Sequence, residues 1–275
     1  MQQPIGIFDS GYGGLTVFRS IAAALPQYDY IYLGDNARAP YGNRSFETVH
    51  EFTLQCVEWL WQQNCPLVIL ACNTASAKAL RNIQQKDLPR IAPDKKVLGV
   101  IRPTAETIGD YTRSREIGIL GTSGTVSSFS YPREIEKFFP DIKVYQQACP
   151  LWVPFVEGGE YDEAFVNRTI QDDLNHLLAQ SDHIDTVLMA CTHYPLLADK
   201  IKKFIPPQIQ LIAQGDIVAS SLIDYLRRHE EITMQLSTNA QRTFFTTGDP
   251  DDFERHGALF FGAEIQAKHT TVGNF

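Results

Sequence analysis

The chain has 275 residues, 44% of them hydrophobic and 20% charged, with a formal net charge of −8 at pH 7. That length supports a full core and two domains of ordinary size, and the composition is that of a globular protein rather than a disordered one. The acidic balance argues against a nucleic-acid partner, and no apolar run approaches the roughly 20 residues that span a bilayer.

The start, MQQPIGIFDSG, has no basic stretch and no apolar core before a cleavage site, so no signal peptide is expected. PIGIFD is the first predicted strand, and the glycine-rich FDSGYGGLTV (8–17) follows it. This segment lacks a P-loop lysine and does not fit GxGxxG. It is either a tight turn with Ser10 or a neighbour capping a helix, or a hydroxyl and backbone cradle for an anion. In the second case Asp9 is left to bind an ammonium group or to support proton transfer. YIYLGD is the next strand, and the polar loop GDNARAPYGNRS (34–45) after it is shaped by Pro40 and Gly42. Residues 45–63 carry apolar side chains at helical spacing. PLVILAC then reads as a strand ending on Cys72, followed by Asn73-Thr74.

KVLGVI, EIGILGT, KVYQQACP, TVLMACT, IQLIA and RTFFTTG are further strands, and 161–180 and 215–229 are further helical patterns. Several strands are near-continuous apolar runs, as in parallel strands covered on both faces. The alternation predicts an α/β architecture with parallel sheets. Two segments recur within it. IGIFDSG at residue 5 is echoed by IGILGTSG at 117, and VILACNTASA around Cys72 is echoed by VLMACTHYPLL around Cys191, at nearly the same separation. Two similar units facing each other would turn Asp9, Cys72, Thr122 and Cys191 into one cleft, because ligands bind outside the carboxyl ends of such strands.

The five cysteines are odd in number and show no CxxC spacing, which favours reduced thiols in the cytoplasm over a disulfide framework or structural zinc. Cys56, Cys65 and Cys149 fit the role of small buried hydrophobes. Cys72 and Cys191 each end a strand just before a predicted helix start, where the helix dipole favours thiolate. Other readings stay open at this point. Thr122 or Thr125 of GTSGTV can simply cap a helix, and His193 can bond to backbone. A Cys191–His193 metal site lacks further ligands at a recognisable spacing. A Cys-His nucleophile for acyl transfer is the stronger rival. Two lobes around a cleft also suit a non-catalytic amino-acid binding module.

Taken together and in order, IGIFDSGYGGLTV, GDNARAPYG, ACNTAS, GTSGTV, ACPLWVPFVEGG and ACTHYPLL resemble the glutamate racemase family, from about residue 5 to the closing TTGDPDDF…LFFG. The resemblance implies a cofactor-independent and metal-free isomerase that interconverts L- and D-glutamate, its small-molecule substrate, with the D-enantiomer feeding peptidoglycan synthesis. It also implies two flavodoxin-like domains related by pseudo-symmetry, residues 1–98 plus 208–275 and residues 99–207, with the active site between them. The cysteines of ACNTA and CTHYP are the family's two catalytic bases, here Cys72 for D-glutamate and Cys191 for L-glutamate, with Asp9 and His193 in support. Asp9, Ser10, Tyr41, Gly42, Asn73, Thr74, Thr192 and His193 match substrate-contacting positions. Thr122 and Thr125 match more loosely, and Glu157 falls where relatives often carry an acidic residue.

Two stretches depart from the pattern: Ile101-Arg102-Pro103-Thr104, and LIAQGD at 211–216, which lacks the acidic residue expected after the strand. Some relatives carry an N-terminal extension linked to activation by a cell-wall precursor. This chain reaches its first strand by about residue 4, and no such activation is expected. Dimers are common in the family, and the sequence leaves the oligomeric state open. Aspartate racemases, with the same paired cysteines, are the nearest rival.

Overall fold

The structure, a computed structural model, describes residues 3–158 and 161–273. The described residues form strands β1 (Ile5–Asp9), β2 (Tyr30–Gly34), β3 (Leu67–Leu70), β4 (Lys96–Gly99), β5 (Glu116–Gly121), β6 (Lys143–Ala148), β7 (Thr186–Ala190), β8 (Gln210–Ile212), β9 (Arg242–Thr246) and β10 (Ala267–His269). They make two sheets, in the orders β10-β9-β2-β1-β3-β4 and β6-β5-β7-β8, and every pairing is parallel.

The hydrophobic pattern explains which strands are central. β1, β3, β5 and β7 are buried at every position and apolar but for Asp9, Glu116 and Thr186 at strand ends, with helices covering both faces. β6 and β8 are partly exposed edges. The two predicted units are visible in the topology. β2-β1-β3-β4 and β6-β5-β7-β8 have the same flavodoxin-like order, so β1 corresponds to β5 and β3 to β7, which are the pairs that echo in the sequence. In each sheet the chain moves one way from the first strand and then the other way. That places a topological switch point between β1 and β3, and a second between β5 and β7.

Three details differ from expectation. β8 pairs with β7, Thr186 opposite Gln210, so it is a strand of the second sheet although the expected division at 207/208 assigns it to the first unit. KVLGVI stops being a strand at Gly99, and a helix, Ile101–Thr107, begins where the apolar run still continues. β10 has no counterpart among the predicted strands. It is three residues long, carries Lys268 and lies at a sheet edge, so it has no apolar run to announce it.

The predicted helices appear as α2 (Phe46–Gln62) after α1 (Leu15–Ala24), and as Glu163–Leu178 and Gly215–Arg228. Helix α2 starts at Ser45, whose side chain accepts the Thr48 N–H at 3.1 Å. The C-terminal helix Pro250–Phe261 is framed by Asp249, Pro250 at its first position and Gly262 with φ +81°. Its Phe253 and Phe260 pack on Tyr12, which ties the end of the chain to the glycine-rich loop after β1. No helix among the described residues is long and apolar enough to cross a membrane.

Candidate active site

The exits of β1, β3, β5 and β7 converge on one cavity. It is small, with a volume of about 60 Å³. Ser10, Tyr41, Gly42, Cys72, Asn73, Thr74, Thr122, Glu157, Cys191, Thr192 and His193 line it. Asp9 and Thr125 stand one layer behind. Asp9 is fully buried, and the Thr125 hydroxyl lies 3.1 Å from that of Thr122.

Cys72 caps α3 (Asn73–Lys78), its sulfur accepting the Ala75 N–H at 3.4 Å, with the Ser10 hydroxyl also 3.4 Å away. The helix start expected to favour thiolate is present, but burial outweighs it. Burial first, and then the nearby Asp9 carboxylate, push the Cys72 thiol up to about 12. Cys72 therefore rests protonated.

Cys191 leaves β7 into a 3-10 turn, Tyr194–Leu197, rather than directly into an α-helix. Its sulfur lies 3.9 Å from His193 Nδ1, and His193 Nε2 lies 2.8 Å from Glu157 Oε1. Burial works against a charged imidazole here, but the contacts to Cys191 and Glu157 prevail and hold His193 up at about 10. An imidazolium beside Cys191 is the partner a thiolate needs. The two sulfurs thus sit in opposite electrostatic settings, one before a carboxylate and the other before a cation.

The surroundings hold these groups in place. Gly11 N–H donates to Asp9 Oδ2 at 2.9 Å, while Oδ1 is buried with no protein partner. Burial raises the Asp9 carboxyl above its ordinary range, partly offset by the charge on His193. The glycines of GYGG allow close approach. A Cβ on Gly14 would lie 2.4 Å from Asp9 Cβ, and one on Gly13 would lie 2.4 Å from His193 Nδ1. The Tyr41 hydroxyl is turned away from the cavity and donates to the buried Asp35, which also accepts from Arg38 Nε at 2.7 Å. Tyr41 thereby anchors the loop whose Gly42 carbonyl accepts the Gly124 N–H at 2.9 Å across the two units. The Thr74 and Thr122 hydroxyls meet across the same boundary at 3.0 Å, and the Thr16 hydroxyl donates to the Thr192 carbonyl at 2.9 Å.

The candidate residues did not include the apolar wall of Pro150, Val153 and Pro154, although ACPLWVPFVEGG contained it. The Asp35–Arg38 pair likewise lies in a stretch that reads from the sequence as a plain polar loop. Among the described residues, no three His, Cys, Asp or Glu side chains gather as a metal set.

The His193–Glu157 contact has a measurable consequence. The folded value for His193 lies above its ordinary 6.5, so its stabilisation is complete below about pH 6.5 and is lost as the pH rises through about 10. Glu157→Gln removes a charge-assisted hydrogen bond and should cost about 1.5–3 kcal/mol at pH 7. Urea unfolding from pH 6 to 10 should show a decline in the wild type that is smaller in the variant, where only Cys191 still raises His193. Parallel curves would contradict this assignment.

Comparison with known proteins agrees with the geometry. The Asp/Glu/Hydantoin racemase family matches residues 5–230. The chain belongs to this family. A glutamate racemase of Exiguobacterium sibiricum is 38% identical over 277 residues, 99% of this chain and 97% of the relative. One from Persephonella marina is 40% identical over 262 residues, 95% of this chain and 94% of the relative. Among solved structures, glutamate racemase isoform RacE1 of Bacillus anthracis superposes with a TM-score of 0.88 at 34% identity, covering 98% of this chain and 97% of that one. The Francisella tularensis glutamate racemase, solved with D-glutamate, gives 0.85 at 30% identity and covers 99% and 98%. An aspartate racemase of Picrophilus torridus shares the fold alone, at 17% identity and a TM-score of 0.56. As a member of this racemase family, the chain is an isomerase with two parallel-sheet α/β domains.

Proposed function

We propose that this racemase interconverts L- and D-glutamate without a cofactor, by proton transfer between Cys72 and Cys191, and that its D-glutamate serves peptidoglycan synthesis in the cytoplasm. The observation that carries the reading is the pair of thiols in unlike settings on one small cavity. Racemisation removes the α-proton from one face of a tetrahedral carbon and delivers a proton to the other, so two opposed groups must alternate as base and acid. With L-glutamate, Cys191 beside the His193 imidazolium acts as base and the Cys72 thiol donates. With D-glutamate the roles reverse, and Asp9 behind Cys72 is placed to help that thiol give up its proton.

The α-proton of an amino acid is far less acidic than a thiol, so the barrier has to fall through fixed dipoles and exclusion of water. Ser10, Thr74 and Thr192 supply hydroxyl donors for the carboxylate on which charge develops, and Asn73 supplies an amide donor that binds the substrate. A Cys191–His193–Glu157 nucleophile would also fit the contacts on one side, but it leaves Cys72 without a task. Glutamate is preferred to aspartate because the relatives at 38–40% identity are glutamate racemases. Incubation of the purified protein with each L-amino acid, without cofactor, should abolish optical rotation for glutamate and leave aspartate unchanged. The opposite pattern would keep the chemistry and move the substrate, and acyl-thioester formation with an ester substrate would favour the nucleophile.

A further inference from the structure

The two stretches that depart from the family's sequence pattern meet in the structure. Gln214, from LIAQGD, is buried between the units, and its Nε2 lies 2.8 Å from Thr104 Oγ1, 3.2 Å from the Val100 carbonyl and 2.7 Å from the Tyr131 hydroxyl. Thr104, from the other stretch, donates its own hydroxyl to the Val100 carbonyl at 3.0 Å. Tyr131, which has no exposed surface, donates to Asn73 Oδ1. Asn73 sits on the cavity wall next to Cys72, and its Nδ2 is buried without a partner in the protein.

The Gln214 amide has two N–H groups for three neighbouring oxygens, and the Val100 carbonyl sets which way it faces. The Val100 carbonyl only accepts, so the Gln214 amide must present N–H on that side; a flipped amide would bring two carbonyl oxygens together. Tyr131 then accepts from Gln214 and has its single proton left for Asn73. That bond turns the Asn73 oxygen toward Tyr131 and leaves both N–H groups of the amide for the cavity. Asn73 belongs to the first sheet's unit and Tyr131 to the helix Ser130–Phe138 of the second. The same helix is tied to the end of α3 by the Ser130 hydroxyl, which donates to the Ala77 carbonyl at 3.0 Å.

We propose that Gln214, acting through Tyr131, is a positioning residue that fixes the Asn73 amide as a donor to a carboxylate of the substrate. The inference rests on the amino-acid racemase reading above and adds to it the group that orients the carboxylate donor. An amide free to flip would turn its oxygen toward a carboxylate for part of the time, so losing the lock weakens binding more than chemistry.

The test compares Gln214→Glu, Gln214→Met and Tyr131→Phe in steady-state racemisation of L-glutamate, with thermal melting as a folding control. Gln214→Glu preserves size but replaces the donor with an acceptor, so the Tyr131 proton is drawn away from Asn73. It should raise KM on the order of tenfold, with kcat within about threefold. Tyr131→Phe should do the same. Gln214→Met removes the donor that holds Tyr131 as an acceptor without adding a competing acceptor, so it should raise KM by a smaller factor, about threefold. Adding Gln214→Glu to Tyr131→Phe should raise KM no further, because the first acts only through the second.

Equal effects of Gln214→Glu and Gln214→Met, additive effects in the double variant, or an unchanged KM in Tyr131→Phe would each overturn the proposal. Should Gln214→Glu fail to fold, KM in Tyr131→Phe decides alone. A wild-type protein inactive on glutamate would instead defeat the functional reading itself.

Discussion

Cys72→Ser and Cys191→Ser should each lower kcat for racemisation by on the order of 10³-fold in both directions, a loss in the range that general acid–base groups contribute. An alcohol is a much weaker acid than a thiol, and in either variant one face of the α-carbon keeps its cysteine while the other does not. Neither variant should lose the fold, because the change is one atom at a buried position in contact with Ser10 or His193. The settings of the two sulfurs predict a difference between them. Cys72, the resting acid, is protonated across the neutral range, so Cys191 in the Cys72→Ser protein should still exchange the α-proton of L-glutamate with solvent. Polarimetry and loss of the α-proton signal measure the two processes separately. Near-normal racemisation in both variants would remove the two-base scheme.

Gly13→Ala should be nearly as damaging although residue 13 carries no chemistry. The added Cβ would lie 2.3 Å from Thr192 Oγ1 and 2.4 Å from His193 Nδ1, so the turn after β7 has to move, carrying His193 away from Cys191 and Glu157. A displacement of about 1 Å at a reacting group costs on the order of 10²-fold in rate, and overpacking costs about 1–3 kcal/mol in stability. Gly11→Ala, in the same loop, meets its nearest atom at 3.6 Å and should keep activity within roughly tenfold. Steady-state kinetics and thermal melts on the pair test this; equal activity of the two variants would show that the close approach at Gly13 is unimportant.

The contrast between these glycines shows what the sequence carried and what it did not. The strand runs, the echo of the Cys72 segment in the Cys191 segment and the α/β alternation are local patterns. They led directly to two sheets of like order with a cysteine beside each switch point. Which of two glycines touches His193 depends on how the units dock, and no periodicity reports that. The same limit hid the resting state of Cys72. A helix start was legible from ACNTAS, but the burial that overrides it comes from residues distant in the chain. Gln214 appeared only as a missing acid, because its partners Thr104 and Tyr131 are each more than eighty residues away. Tyr41 lines the cavity and also donates its hydroxyl to Asp35, a partner that the PYG motif does not announce.

The central claim is that the proton removed from one face is not the proton delivered to the other. L-glutamate incubated with the enzyme in deuterated water and sampled at low conversion tests this most directly. The first D-glutamate formed should carry deuterium at the α-carbon, delivered by the solvent-exchanged Cys72 thiol, while the remaining L-glutamate is still protiated. D-glutamate that retains the original protium would mean that a single base carries the proton across, and the paired cysteines would need another explanation.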